Sequence, residues 1–142
     1  MNKKTKPTIY TIGHSNWPLE IFISKLMNNG IEVLIDVRTI PLSRYCPHFN
    51  KSALQDALAK QTIKYLWMGQ NLGGRGVNVG FDDAIDELSA MVKRDIKVCV
   101  MCSEGDYKKC HRYITLAPAF KEHELLVTHI QYDNKKKPNS NK

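Results

Sequence analysis

Side chains that can move protons or hold anions are concentrated in a few short segments of the chain. Glu104 and His14 are candidates for general acid–base or nucleophilic chemistry, because a carboxylate and an imidazole both transfer protons in enzymes. Arg38, Arg44 and Arg112 are candidates for holding an anion, since a guanidinium binds phosphate or carboxylate oxygens with paired hydrogen bonds. Together these residues predict an enzyme with an anionic substrate, of the hydrolase or transferase type.

Further polar residues accompany these five in the same segments. We predict that they contribute to substrate binding: Ser15, Asp36, Tyr45, Cys102, Cys110 and His111. Each candidate also has a structural alternative, since Glu104 can cap a helix and Arg112 can pair with Asp36 or Glu104. Their concentration favours one shared site, because charge buried without a partner or a task is costly.

The elements that must position these residues alternate between strand and helix. β-Branched and apolar runs predict strands at residues 8–12, 33–35, 63–66, 96–101 and 125–130. Apolar residues at helical spacing predict helices at 18–29, 51–60, 82–94 and 110–122, the last disturbed near Pro118. Gly30 and Asn50 are expected to cap helices, and the glycine-rich segment 69–80 is expected to be a flexible loop.

Alternating strands and helices predict a parallel sheet covered by helices on both faces. The expected fold is a single-domain α/β three-layer sandwich of Rossmann-like type, with a mostly parallel sheet of about five strands. We place this domain at residues 8–131, between basic tails at 1–7 and 132–142. In such sheets ligands bind outside the carboxyl ends of the strands, so the candidate residues are expected at that edge.

The net charge of +7 on 142 residues is concentrated at the ends of the chain. Seven lysines lie in the first six and last eight residues, which leaves residues 7–134 with 14 basic and 14 acidic side chains. The loop arginines predict an anionic small molecule or a nucleic-acid end as the partner, and the neutral body favours this over general nucleic-acid binding. The alternative is a non-catalytic nucleic-acid-binding module that uses the basic tails and the loop arginines on phosphates.

The sequence also indicates where the protein works. No apolar run is long enough to span a bilayer, and the Lys-rich start lacks the apolar stretch of a signal peptide. We therefore expect a soluble, cytoplasmic protein without a membrane partner, and no cofactor is expected.

The cysteines offer two motifs that we discount. Cys99 and Cys102 form a Cys-x-x-Cys pair, but in a buried strand residues three apart point to opposite faces. Zinc on Cys102, Cys110, His111 and His14 is disfavoured, because neighbours on one helix point about 100° apart. No metal is expected. Cys102 is expected to be buried at a strand end, whereas Cys110 is expected to open a helix that favours its thiolate.

Several short motifs follow one another in a fixed order along the chain. They are Thr11-Ile-Gly-His-Ser15, Asp36-Val-Arg38 followed by Pro41 and Ser43, Phe49, Leu72-Gly-Gly74, and Cys102-Ser-Glu104 with Cys110-His-Arg112. Over residues 8 to about 130 this order resembles the DUF488 family of bacterial and archaeal proteins, a family of unknown function. The resemblance implies that Cys102, Glu104, Cys110, His111 and Arg112 belong to one site.

Overall fold

The structure, a computed structural model, describes residues 6–74, 78–110 and 112–132, and describes only the backbone at 112 and 113. His111, the side chain of Arg112 and most of both predicted tails therefore lie outside the described residues. Tyr132, at the start of the predicted C-terminal tail, stacks on Trp17 and donates a hydrogen bond from its hydroxyl to the Gly13 carbonyl at 2.8 Å.

Five strands form one parallel sheet. They are β1 (Thr8–Gly13), β2 (Val33–Asp36), β3 (Lys64–Trp67), β4 (Val98–Cys102) and β5 (Leu126–His129), in the spatial order β3-β2-β4-β1-β5. Every neighbouring pair is parallel. The predicted α/β class and the five strands are confirmed.

Helices cover both faces of the sheet. They are α1 (Leu19–Asn28), α2 (Lys51–Ala59), α3 (Gly69–Leu72), α4 (Phe81–Lys93) and α5 (Ala117–Glu122). α1 and α2 pack Phe22, Leu26, Leu54 and Leu58 into one buried cluster with Leu34 and Met101 of the sheet. α4 and α5 pack Ile85, Leu88 and Phe120 into a second cluster with Ile35 and Val100. Because alternate strand residues enter different clusters, both faces of the sheet are buried.

The ends of the helices show which local predictions hold. Gly30 has a φ of +68° just after α1, the left-handed conformation that ends helices and favours glycine. Asn50 does precede α2, but its side chain accepts a hydrogen bond from the Ser43 backbone at 2.6 Å and does not bond to the helix. The prediction of a side-chain cap at Asn50 is therefore wrong, and the residue braces the preceding loop instead.

Two predicted segments are subdivided in the structure. The helix predicted at 110–122 is preceded by a 3₁₀ turn (Tyr107–Lys109) and consists of a π-helical turn (Arg112–Leu116) followed by α5. Pro118 lies in the first turn of α5, where its missing N–H is tolerated, so the α-helical ladder starts there. The glycine-rich segment contains the short helix α3. Among the described residues, no helix has the length and apolar character needed to cross a membrane.

Candidate functional site

Three neighbouring strands end at the same level in the centre of the sheet. In the β1–β4 register Gly13 lies opposite Cys102, and in the β2–β4 register Asp36 lies opposite Met101. The loops that follow β1, β2 and β4 therefore leave the sheet side by side. This alignment brings together the candidate residues that the sequence places after these strands.

The loops after β1 and β4 are joined by backbone hydrogen bonds that continue the strand pairing. The His14 N–H donates to the Cys102 carbonyl at 3.0 Å, and the Ser15 N–H donates to the Ser103 carbonyl at 2.9 Å. Ser15 has a φ of +48°, so the chain turns sharply directly after this contact. The residue following Ser103, Glu104, is thereby held close to the loop that carries His14.

A buried ion pair closes the end of β2. The Asp36 carboxylate is fully buried and accepts hydrogen bonds from Arg38 Nε at 2.9 Å and Nη2 at 2.7 Å. It also accepts the Arg38 backbone N–H at 3.1 Å and the Tyr65 hydroxyl at 2.5 Å. Four donors thus compensate the desolvated carboxylate. Burial, followed by the hydrogen bond to Asp36, raises the pKa of the Tyr65 hydroxyl, which therefore stays protonated.

His14 lies beside this ion pair and is almost completely buried. Its Nδ1 is 2.8 Å from the Ser15 carbonyl, so Nδ1 carries the proton and Nε2 accepts from Arg38 Nη1 at 3.4 Å. The ring stacks on Phe49 with centroids 4.4 Å apart. Burial lowers the pKa of His14 to about 4, the Arg38 charge acts in the same direction, and the hydrogen bond to Ser15 opposes both. His14 is consequently neutral at pH 7.

The loops surround an open cleft of about 790 Å³ at the carboxyl edge of the sheet. It brings together seven of the residues predicted from the sequence: His14, Arg38, Arg44, Tyr45, Cys102, Glu104 and Cys110. Lys109 and the apolar residues Ile40 and Leu42 also line it. This volume is in the range of small-molecule sites.

The remaining predicted residues lie elsewhere. Asp36 lies behind Arg38 and does not line the cleft. Ser15 lines an adjoining pocket of about 440 Å³, which shares Glu104 and Lys109 with the cleft. His111 and the side chain of Arg112 lie outside the described part of the chain, so their predicted roles remain predictions.

The loop after β2 forms an exposed rim on one side of the cleft. Arg44 and Tyr45 are both exposed, Tyr45 by 87%. The Cys46 N–H donates to Ser43 Oγ at 3.0 Å, and together with the bond from the Ser43 backbone to Asn50 this contact shapes the loop. A cation and an aromatic ring are thus presented to solvent at the mouth of the cleft.

The loop after β4 forms the opposite side. Glu104 is exposed, and its Oε1 accepts the Asp106 N–H at 3.0 Å, while Asp106 Oδ1 accepts the Lys108 N–H at 3.1 Å. At the base of this loop the Cys102 and Cys110 sulfur atoms are only 2.7 Å apart, and both side chains are buried. The different surroundings expected for the two thiols are therefore not observed, because the loop folds back and places them in contact.

Several residues that support the site are not among the sequence candidates. Tyr65 and Lys109 are two of them, and Trp67 is a third, since its Nε1 donates to the Arg38 carbonyl at 2.7 Å. A Cβ at Gly69 would overlap the same carbonyl, so glycine permits α3 to approach the end of β2. Tyr65 lies in the predicted strand that follows the strand ending at Asp36. A tyrosine in a strand next to one that ends in a buried aspartate is the signal that could have identified it.

Within residues 6–74, 78–110 and 112–132, no group of three or more His, Cys, Asp or Glu side chains is arranged to bind a metal ion. The described residues of the cleft present guanidinium, ammonium, carboxylate, imidazole and thiol groups.

Part of the chain matches a known family model. Residues 18–79 match the model of the family described as domain of unknown function DUF488. This match confirms the DUF488 resemblance that the sequence motifs predict. The DUF488 match contains the Asp36–Arg38 pair and the rim with Arg44 and Tyr45, whereas the loops after β1 and β4 lie outside it. Searches among curated proteins and among solved structures gave no significant match.

The ion pair gives a first prediction. Arg38→Met leaves the buried Asp36 carboxylate without its cation, so the free energy of unfolding should fall by about 3–5 kcal/mol. The double variant Asp36→Asn/Arg38→Met should be less destabilised than the sum of the two single variants, because it buries no uncompensated charge. Urea denaturation measures these values, and Arg94→Met, at an exposed cation, is the control. Strict additivity would contradict the coupling.

The neutral His14 gives a second prediction. Its pKa is about 4 in the folded state and about 6.5 when unfolded, so the unfolded state binds the extra proton between these values. His14 should therefore contribute about 3 kcal/mol of stability above pH 6.5 that is lost as pH falls toward 4. Its NMR titration should have a midpoint near pH 4.

The matched control compares two histidine variants. His14→Gln should flatten the rise in unfolding free energy between pH 4 and 6.5, whereas the more exposed His123→Gln should leave most of that rise in place. A His14 midpoint near 6.5 would contradict the environment described here.

Proposed function

We propose that the cleft binds an anionic, phosphate- or nucleotide-like ligand and that the protein is an enzyme acting on it. The observation that carries this proposal is the orientation of the buried ion pair. Arg38 lines the cleft, whereas its partner Asp36 lies behind it, so the guanidinium end of the pair faces the ligand space. Among the described residues, three of the five guanidinium N–H groups are engaged, by Asp36 and His14, which leaves two for a ligand.

Two further cations stand at the mouth of the cleft. Arg44 comes from the loop after β2 and Lys109 from the 3₁₀ turn after β4, so they approach from two different loops. Of the described lining residues, these two and Arg38 are positively charged and Glu104 is negatively charged, while His14 is neutral. The cleft therefore favours an anion, and exposed flexible cations can close on it after binding.

The apolar rim supports a ligand larger than phosphate. Ile40, Leu42 and Tyr45 line the cleft and are exposed by 55%, 62% and 87%. Apolar and aromatic side chains at this position can cover the organic part of a ligand while the cations hold its charge. A nucleotide or another aromatic phosphate combines both features.

Glu104 is the residue that we assign to the chemistry. Its carboxylate is exposed and lines the cleft, and its Oε1 accepts the Asp106 N–H, which holds the side chain at the end of β4. In a hydrolysis or transfer at phosphorus, Glu104 would take the proton of the attacking water or hydroxyl as its oxygen bonds to phosphorus. The bond between phosphorus and the leaving oxygen breaks, that oxygen departs as the alcohol or its anion, and the cations would stabilise the charge on the phosphoryl and leaving oxygens. His14 Nε2 accepts from Arg38 Nη1, so the neutral ring helps to orient this guanidinium, and the predicted proton transfer by His14 stays a prediction.

Ligand binding provides the first test. Arg44→Gln and Lys109→Gln should each weaken the binding of inorganic phosphate and adenosine monophosphate by roughly three- to tenfold, because each removes one charge-assisted contact. Titration calorimetry measures the dissociation constants. Arg94→Gln removes an equally exposed cation outside the cleft and should change nothing.

Three results would contradict this site. One is equal weakening by Arg94→Gln, which would indicate a general charge effect. Another is the absence of any phosphate binding. The third is binding that survives the cleft substitutions and disappears when residues 1–6 and 135–142 are deleted, which would favour the nucleic-acid-binding alternative.

Turnover provides the second test. Glu104→Gln should lower the hydrolysis of p-nitrophenyl phosphate or bis(p-nitrophenyl) phosphate by about 10²- to 10⁴-fold, while adenosine monophosphate binding is kept. Glu87→Gln, at an exposed carboxylate on α4, is the matched control with unchanged turnover. Full activity of Glu104→Gln, or an inactive native protein that still binds the nucleotide, would contradict the catalytic assignment.

A further inference from the structure

The two thiols at the floor of the cleft are closer than packing requires. Cys102 Sγ and Cys110 Sγ are 2.7 Å apart, whereas non-bonded carbon atoms in a protein core pack at about 3.5–4.0 Å. A disulfide bond measures about 2.05 Å, so the two sulfur atoms need to approach by less than an ångström.

Both thiols can be reached from the cleft. Cys102 and Cys110 are exposed by 4% and 6%, yet both line the cleft. Cys99 belongs to the buried cluster on the opposite face of the sheet, as does Cys46. A small reagent in the cleft therefore meets Cys102 and Cys110 before it meets the other two.

We infer that Cys102 and Cys110 form a redox-active dithiol, which a small hydroperoxide that enters the cleft converts into a disulfide. One sulfur attacks the peroxide oxygen and becomes a sulfenic acid, the O–O bond breaks, and the alcohol leaves with the thiol proton. The second sulfur attacks the sulfenic sulfur, the S–O bond breaks, and water leaves. The two thiols lose two electrons in total, and the hydroperoxide is reduced to alcohol and water. Exchange with an external dithiol reverses the reaction.

The disulfide would close a ring around the loop that carries cleft residues. The ring contains residues 103–109, among them Glu104 and Lys109. Six of these seven residues are exposed and the seventh, Tyr107, stacks on His129, so the disulfide adds a covalent restraint to a loop that lies mostly at the surface. The oxidised protein therefore has a more restrained cleft wall than the reduced protein.

The experiment uses the full chain treated with hydrogen peroxide and digested with trypsin under non-reducing conditions. Cleavage after Lys97, Lys108, Lys109 and Arg112 separates a peptide of residues 98–108 from one of residues 110–112. The first peptide contains two cysteines, so Cys99→Ala serves as the background that makes the linkage unique. We expect a single disulfide between Cys102 and Cys110, an intact mass lower by about 2 Da, and recovery with dithiothreitol.

Two controls test the specificity of the link. Cys46→Ser should form the disulfide at the native rate, whereas Cys110→Ser should give oxygen adducts at Cys102 and no link.

A second measurement, of thermal stability, needs no substitution at Cys102 or Cys110. Oxidation of the otherwise native protein should raise Tm by about 5–10 °C through loop closure.

Oxidation of Cys46 or Cys99 at the same rate, or oxygen addition at Cys102 and Cys110 without a link, would overturn the inference. Phosphate binding by the reduced protein is measured in parallel. If phosphate binds but no disulfide forms, only the dithiol inference is overturned. If the disulfide forms but phosphate does not bind, only the proposed anion site is overturned.

Discussion

At the carboxyl end of β2, the Asp36 carboxylate has left water completely and is held by the Arg38 guanidinium and the Tyr65 hydroxyl. Removing a charge from water costs several kcal/mol unless its partners are well placed, so this pair fixes the surrounding backbone. Arg38 is oriented by Asp36, the neutral His14 ring accepts from Arg38, and α3 packs on the Arg38 carbonyl through Gly69. The positions of Arg38, His14 and α3 in the wall of the cleft thus all depend on the buried Asp36 carboxylate.

The order of the strands decides which loops meet at this wall. β4 lies between β1 and β2, so residues from three distant parts of the chain, His14, Arg38 and Glu104, lie around one opening. The exposed cations and the apolar rim come from the longer loops, whereas the buried groups come from the strand ends. Buried groups therefore form the base of the cleft, and exposed groups form its mouth.

Much of this arrangement can be predicted from the sequence, because it depends on local patterns of apolar and polar residues. Apolar runs identify all five strands within a few residues, and the spacing of Cys99 and Cys102 predicts that they face opposite sides of β4, which their separate clusters confirm. The convergence of strand-end residues follows from the expectation of a parallel sheet.

The remainder depends on contacts distant in sequence. Strand order, the hydroxyl that Tyr65 donates to Asp36 and the contact between Cys102 and Cys110 are set by tertiary packing. Asn50 shows the same limit locally. Its side chain accepts a hydrogen bond from the Ser43 backbone instead of capping α2.

The central place of β4 also matters during synthesis, when the chain leaves the ribosome from its N-terminus. The segment from β1 to β4, which contains β2 and β3, must emerge before β4 can insert between β1 and β2. Until β4 is in place, β1 and β2 each have an unpaired edge. The cleft between their loops therefore forms only after β4 has been synthesised.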